Sequence, residues 1–161
     1  MARAGAFSSI VATVLLTVWS LVALPDQVPV HFGLDGAPDR WGARGELLVL
    51  AAVIVVLVGG MSWLAHGIAG TWSLDLVNLP DKDRWLPDHE AALRARVAAD
   101  LARFAALIGL TMTVLYAGAL TASVSVTPLP VWSMVLFVLC LLLGLGGLVG
   151  SLLLRYRHPP R

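Results

Sequence analysis

Charge is what this sequence has least of. Only 13% of its 161 residues are Asp, Glu, Lys or Arg, while 58% are hydrophobic, and an ordinary globular domain carries about a quarter charged residues. Cysteine is nearly absent too. The one copy, Cys140, lies inside an apolar run, which excludes an intramolecular disulfide and a cysteine-based metal cluster. Excess positive charge is also missing: the formal net charge is +1 and the basic residues flank apolar runs instead of forming a stripe. Nucleic acid is therefore excluded as a partner.

The most telling absence is inside the apolar runs. Ala6 to Leu24, Leu47 to Leu64, Phe104 to Ala122 and Val131 to Leu154 contain no Asp, Glu, Lys or Arg. Each is long enough to cross a hydrocarbon core of about 30 Å as a helix. Burying a charge at mid-membrane costs roughly 2.5–3.5 kcal/mol even on the lenient scale, and ion-coupled transporters bear that cost at their coupling sites. Its absence argues against a pump or antiporter. Paired ligands for an intramembrane protease or a haem are lacking as well, and His66, at the end of the second run, reads as a solvated interfacial residue.

What remains is an all-α membrane protein, expected as one four-helix domain over residues 1–161. Its spans fall at about 6–24, 47–66, 103–123 and 131–154. The first run is as long as a span and its Ala23-Leu24-Pro25 exit lacks a small-x-small cleavage site, so it reads as a retained helix. Orientation follows from the basic residues, which resist translocation. Nine of them, from Arg3 and Lys82 to Arg161, lie before the first run, between the second and third, or after the fourth, whereas the alternate loops hold Arg40 and Arg44. Both termini are expected in the cytoplasm of a multi-pass cell-membrane protein. That leaves residues 25–45 as an outer loop and 67–100 as an inner one.

Polar residues gather in those loops. The outer one, LPDQVPVHFGLDGAPDRWGAR from Leu24 to Arg44, holds Asp26, His31, Phe32, Asp35, Asp39 and Arg40, the candidate ligand-binding residues. Val28, Val30 and Phe32 alternate with Pro29 and His31, a period-two pattern that predicts an extended piece. Ser123 to Thr127 alternates in the same way. The two pieces are expected to pair into a small outer cap. Asp35-Gly36 and Pro38-Asp39 supply turn chemistry. Imidazole and carboxylate oxygens also suit a divalent cation, so His31, Asp35 and Asp39 form a candidate metal set, although no zinc spacing rule is matched.

The inner stretch NLPDKDRWL, Asn78 to Leu86, crowds Asp81, Lys82, Asp83 and Arg84 beside Trp85. It reads either as a solvated, salt-bridged turn or as a docking surface for a cytoplasmic protein. Trp72 and Trp85 are rings suited to headgroup level. A helix is expected to start at Pro87, with Asp88 and Glu90 in its first turn and Arg96, Asp100 and Arg103 on one face. The RYRHPPR tail suits an anionic leaflet, and the Gly146-to-Gly150 spacing would let another helix approach closely.

These two stretches resemble a bacterial family of small multi-pass membrane proteins, the domain of unknown function 1648. Its outer motif matches Pro25, His31, Phe32, Gly36 and Asp39, and its inner motif matches Asn78, Pro80, Lys82, Trp85 and Leu86. The domain also occurs in SdpI-type proteins, and the resemblance implies immunity against a secreted membrane-active peptide, with signalling by sequestering a repressor at the membrane. The expectation is therefore a non-enzymatic sensing or immunity-type protein, in contact with the bilayer, an extracellular peptide and a cytoplasmic protein. A metal-dependent membrane enzyme using His31, Asp35 and Asp39, or a structural subunit of a membrane complex, is the alternative.

Overall fold

The computed structural model describes residues 2–79, 81–86, 88–125 and 127–156. Four long helices carry the chain: α1 (Ala2–Ala23), α2 (Glu46–Ala69), α3 (Glu90–Ser125) and α4 (Val131–Arg155), all long and apolar enough to cross a membrane. Between α1 and α2 lie two short strands, β1 (Gln27–Phe32) and β2 (Pro38–Ala43). Between α2 and α3 are two single 3-10 turns, Leu74–Leu76 and Lys82–Arg84.

The third helix is the core. Of its most apolar eighteen residues 44% are buried, against 28% for α1, 22% for α2 and 6% for α4. The reason is that α1, α2 and α4 all pack on it. Sorting of residues runs opposite to that of a water-soluble helix. On α1 the buried positions are Ala6, Ser9, Thr13, Thr17 and Ser20, while Phe7, Leu15 and Val22 point outward. Lipid removes the hydrophobic drive between helices, so close packing of small residues and interhelical hydrogen bonds hold them instead. Thr13 and Thr113 share a hydrogen bond at 2.9 Å, Thr17 and the Tyr116 hydroxyl share one at 3.1 Å, and Thr113 donates to the Ser9 carbonyl at 3.3 Å. Gly109 makes room for this seam: a Cβ there would collide with Ser9 and come within 3.2 Å of Val58 on α2. Gly144 does the same for Leu107 between α3 and α4.

Helix α1 stops before Pro25, which has no N–H to continue the ladder. The chain then turns into an antiparallel hairpin in which Gln27 faces Ala43, Val28 faces Gly42 and Phe32 faces Pro38. Register shifts on either side of His31 follow Pro29, which cannot donate to a ladder. The tip closes with Gly36 N–H donating to Gly33 O and Gly33 N–H donating to Ala37 O. Gly36 sits at φ +77, a conformation that favours glycine.

The expected partner of the first extended piece is corrected here. Ser123 to Ser125 is the last turn of α3, not a strand, and β1 pairs with β2. A hairpin closes over a handful of residues, whereas pairing with residue 123 needs a loop of some ninety, which is entropically dearer. The α3–α4 connection still meets the hairpin: Leu129 N–H donates to Gly36 O at 2.7 Å. Val126, Pro80, Pro87 and the tail from Arg157 lie outside the described residues, so the expected helix start at Pro87 and the basic tail do too; α3 runs from Glu90.

Candidate functional site

At the hairpin end, the polar residues form three separate fasteners. Arg44 closes the base: its N–H donates to Asp26 O at 3.0 Å, its guanidinium donates to Leu24 O at 3.0 Å and lies 3.4 Å from the Asp26 carboxylate. Across the strands His31 Nδ1 meets Asp39 Oδ1 at 2.5 Å. Arg40 donates to Glu46, the first residue of α2, at 3.0 Å. Asp35 takes none of these partners. Its carboxylate accepts the Ala37 N–H at 3.0 Å, an Asx turn.

The candidate metal set is thus divided: His31 and Asp39 meet, and Asp35 holds the turn. Among the described residues no group of three or more His, Cys, Asp or Glu side chains converges on one point.

Beneath β1 opens an apolar cleft of about 440 Å³. Val30 and Phe32 roof it, Leu47 and Leu50 of α2 form one wall, and Met134 and Phe137 of α4 form the other. His31 stands at its rim, 65% exposed together with a half-exposed Asp39. Of the candidate ligand-binding residues, then, His31 and Phe32 border this cleft, while Asp26 and Arg40 belong to the fasteners.

The opposite end is built differently. Lys82 donates to the Leu74 and Val77 carbonyls at 3.3 and 3.5 Å and so satisfies the end of the first 3-10 turn. Asn78 is exposed, and Pro80 lies outside the described residues. Trp85 is fully buried in the protein: its Nε1–H donates to Tyr156 O at 2.8 Å, and the Arg96 guanidinium lies 4.7 Å over its ring. The NLPDKDRWL stretch is thereby anchored to the end of α4. Trp72 packs edge-on against Trp63, with ring centroids 4.5 Å apart.

Next to this anchor is a hub that the sequence did not single out. Asp100 accepts from Ser151 Oγ and the Tyr156 hydroxyl, each at 2.8 Å, from Arg103 at 2.5 Å and from Arg155 at 3.2 Å. Burial pushes its carboxyl up, but the bonds from Ser151 and Tyr156, the charge of Arg155 and the bond from Arg103 outweigh that and hold it below the usual 3.8. Burial, reinforced by the neighbouring Asp100 carboxylate, drives the Tyr156 hydroxyl well above the ordinary 10. The sequence signal was available: Asp100 is a carboxylate just ahead of an uncharged run, where it must find partners. The Ser9-Thr13-Thr17-Ser20 stripe at helical spacing was likewise readable as an interhelical face.

Comparison with known proteins covers about a third of the chain or less. An uncharacterized protein from Archaeoglobus fulgidus (strain ATCC 49558 / DSM 4304 / JCM 9628 / NBRC 100126 / VC-16) is 45% identical over 51 residues, which are 30% of this chain and 28% of that relative. The aligned segment thus spans little more than a quarter of the relative's length. No solved structure gives a significant match. The matching family extends from Ser9 through the hairpin to Val55, so it takes in the polar face of α1 and leaves out the Asn78–Leu86 stretch. Residues 9–55 thus match the family described as Domain of unknown function (DUF1648).

Proposed function

We propose that this multi-pass membrane protein is a non-enzymatic sensing or immunity-type protein that takes the apolar face of an amphipathic extracellular peptide into the cleft beneath β1. In this reading the hairpin faces outward from the cell membrane and both termini are cytoplasmic, in keeping with nine basic residues on one side against two on the other. The observation that carries the proposal is the cleft itself: about 440 Å³, apolar inside, with a polar hairpin as its roof. Pockets of this size and lining suit a few apolar side chains. Across residues 26–46, the segment that contains the roof, carboxylates outnumber arginines, with Asp26, Asp35, Asp39 and Glu46 against Arg40 and Arg44, which favours a cationic peptide.

A ligand shifts a structure only by binding one arrangement better than another. Helix α4 supplies the means. Met134 and Phe137 near its start line the cleft, and Ser151, Arg155 and the adjoining Tyr156 at its far end hold Asp100 and Trp85. It is also the helix least buried in the protein. A peptide that displaces Phe137 thus pulls on the anchor of the NLPDKDRWL stretch, which reports occupancy to a cytoplasmic protein.

Cysteine accessibility tests both halves. In a Cys140→Ser background, Leu34→Cys at the fully exposed hairpin tip is expected to react with a membrane-impermeant maleimide added to intact cells, and Asp83→Cys to stay unreacted. A Leu/Lys amphipathic peptide of about 20 residues is expected to slow the first reaction, and to lose that effect when Phe137→Ala is added. Reaction at Asp83→Cys alone overturns the orientation; a Leu34→Cys rate indifferent to the peptide overturns the ligand.

A further inference from the structure

At the end of the molecule where α1 starts and α4 ends, α3 presents a ridge with a furrow on either side. The ridge is Arg103 and Leu107, which line both furrows. One furrow, about 540 Å³, runs between α1 and α3 over Gly5, Ser8, Ala12 and Ala106. The other, about 200 Å³, runs between α3 and α4 over Phe104, Leu143, Gly144 and Gly147. Both are apolar along their length and charged only at the mouth.

The mouths share one electrostatic feature. Arg103 stands between them, 56% exposed, with Arg155 at the edge of the α4 furrow, 48% exposed. Arg3, at the start of α1, lines a neighbouring hollow that Arg103 also borders. Asp100 contacts Arg103 and Arg155 and is, among the described residues, the sole carboxylate lining either furrow. Among the described residues lining the furrows, two guanidinium groups against one carboxylate leave one positive charge unmatched. From Arg103 to Leu110 the ridge descends about 10 Å at 1.5 Å per residue, within the roughly 15 Å of hydrocarbon in one leaflet.

We infer that the Arg103–Leu107 ridge is a binding site for one anionic diacyl phospholipid, with its phosphate on Arg103 and its acyl chains lying in the two furrows. The charge at the mouth selects an anion, and a planar guanidinium suits a phosphodiester bidentately. Apolar furrows leading down from that charge demand that the anion carry hydrocarbon. Two of them, parted by Leu107, match two chains on one glycerol. A transmembrane helix from another protein would fill one furrow and leave the arginines facing hydrocarbon. The site is independent of the hairpin cleft and lies at the other end of the molecule.

Native mass spectrometry of the detergent-purified chain tests it, with phosphatidylglycerol and phosphatidylcholine of identical acyl chains as probes. One phosphatidylglycerol per chain is expected to be retained, and phosphatidylcholine about tenfold more weakly, the scale of a charge-assisted contact. Arg103→Gln is expected to weaken phosphatidylglycerol by a similar factor. Because Arg103 also holds Asp100, a second variant leaves the charges intact: Gly147→Leu fills the α4 furrow from a position with no neighbour within 4 Å. Gly147→Leu is expected to lower retention severalfold, and Gly146→Leu, equally open but not lining the furrow, to leave it unchanged. Equal retention of the two lipids, or retention indifferent to Gly147→Leu with helix content unchanged, overturns the site.

Discussion

The two ends of the molecule are made from the same ingredients and use them differently. At the hairpin end, ion pairs such as His31–Asp39 and Arg40–Glu46 lie across half-exposed side chains. At the other end Asp100 is 13% exposed and holds four partners, and beside it Trp85 is wholly enclosed. Exposed pairs are screened by water and contribute little, whereas buried and fully partnered groups cannot be exchanged for solvent. The lesson is one of division of labour. The hairpin keeps its polar groups available at the rim of an apolar cleft, while the far end spends its polar groups on holding a loop and two helices together.

That contrast can be broken by substitution, and the largest effect belongs to Trp85. Trp85→Ala is expected to lower stability by about 3–5 kcal/mol, as for a large ring removed from a core, read as a fall in the thermal midpoint in detergent. Trp85→Phe, which keeps a ring and drops the bond to Tyr156 O, is expected to cost about 1–2 kcal/mol. An alanine variant as stable as wild type would show that the loop is not anchored there.

Asp100 comes second, and its signature is acid dependence. Its folded carboxyl titrates below 3.8, so the unfolded chain takes up its proton first. The stabilisation is therefore complete above pH 3.8 and disappears as pH falls through the folded value. Asp100→Asn is expected to be less stable at neutral pH and to lose less on acidification from roughly pH 5 to 2. Identical acid profiles for the two proteins would remove Asp100 from its place as hub.

The smallest effect is expected at the hairpin, where Asp39→Asn should change stability by no more than about 1 kcal/mol. A drop comparable to that of Trp85→Ala would abolish the contrast between the ends, and would make His31–Asp39 structural instead of part of an accessible rim.

Sequence made the four helices legible because hydrophobic length is a strong signal: expected spans at 6–24 and 131–154 stand beside helices Ala2–Ala23 and Val131–Arg155. The charged extension of the third span is likewise present, as the first turns of α3 from Glu90. Strand β1 was readable from the alternation around Val30. Strand β2 was not, because PDRWGA carries turn residues and no apolar alternation, and forms by being the near end of a tight hairpin. For a physical reason as well, the enclosure of Trp85 was not legible. Tryptophan is at home at a membrane interface, and only the three-dimensional approach of Tyr156 and Arg96 encloses it here. Asp100 was placed on the right face, but its hub needs Ser151 and Tyr156 from a distant helix end.

The bond from Leu129 N–H to Gly36 O has a consequence for how the chain is made. Leu129 follows Gly36 by 93 positions, an interval of roughly 5–20 s at ordinary rates of synthesis. Through that interval the hairpin tip is without its clamp, and the cleft is without the wall that α4 supplies. The segment that matches DUF1648, residues 9–55, is translated before the helices outside its own bounds that complete its surroundings. A ribosome stalled between the third and fourth helices would display the hairpin with its backbone acceptor bare.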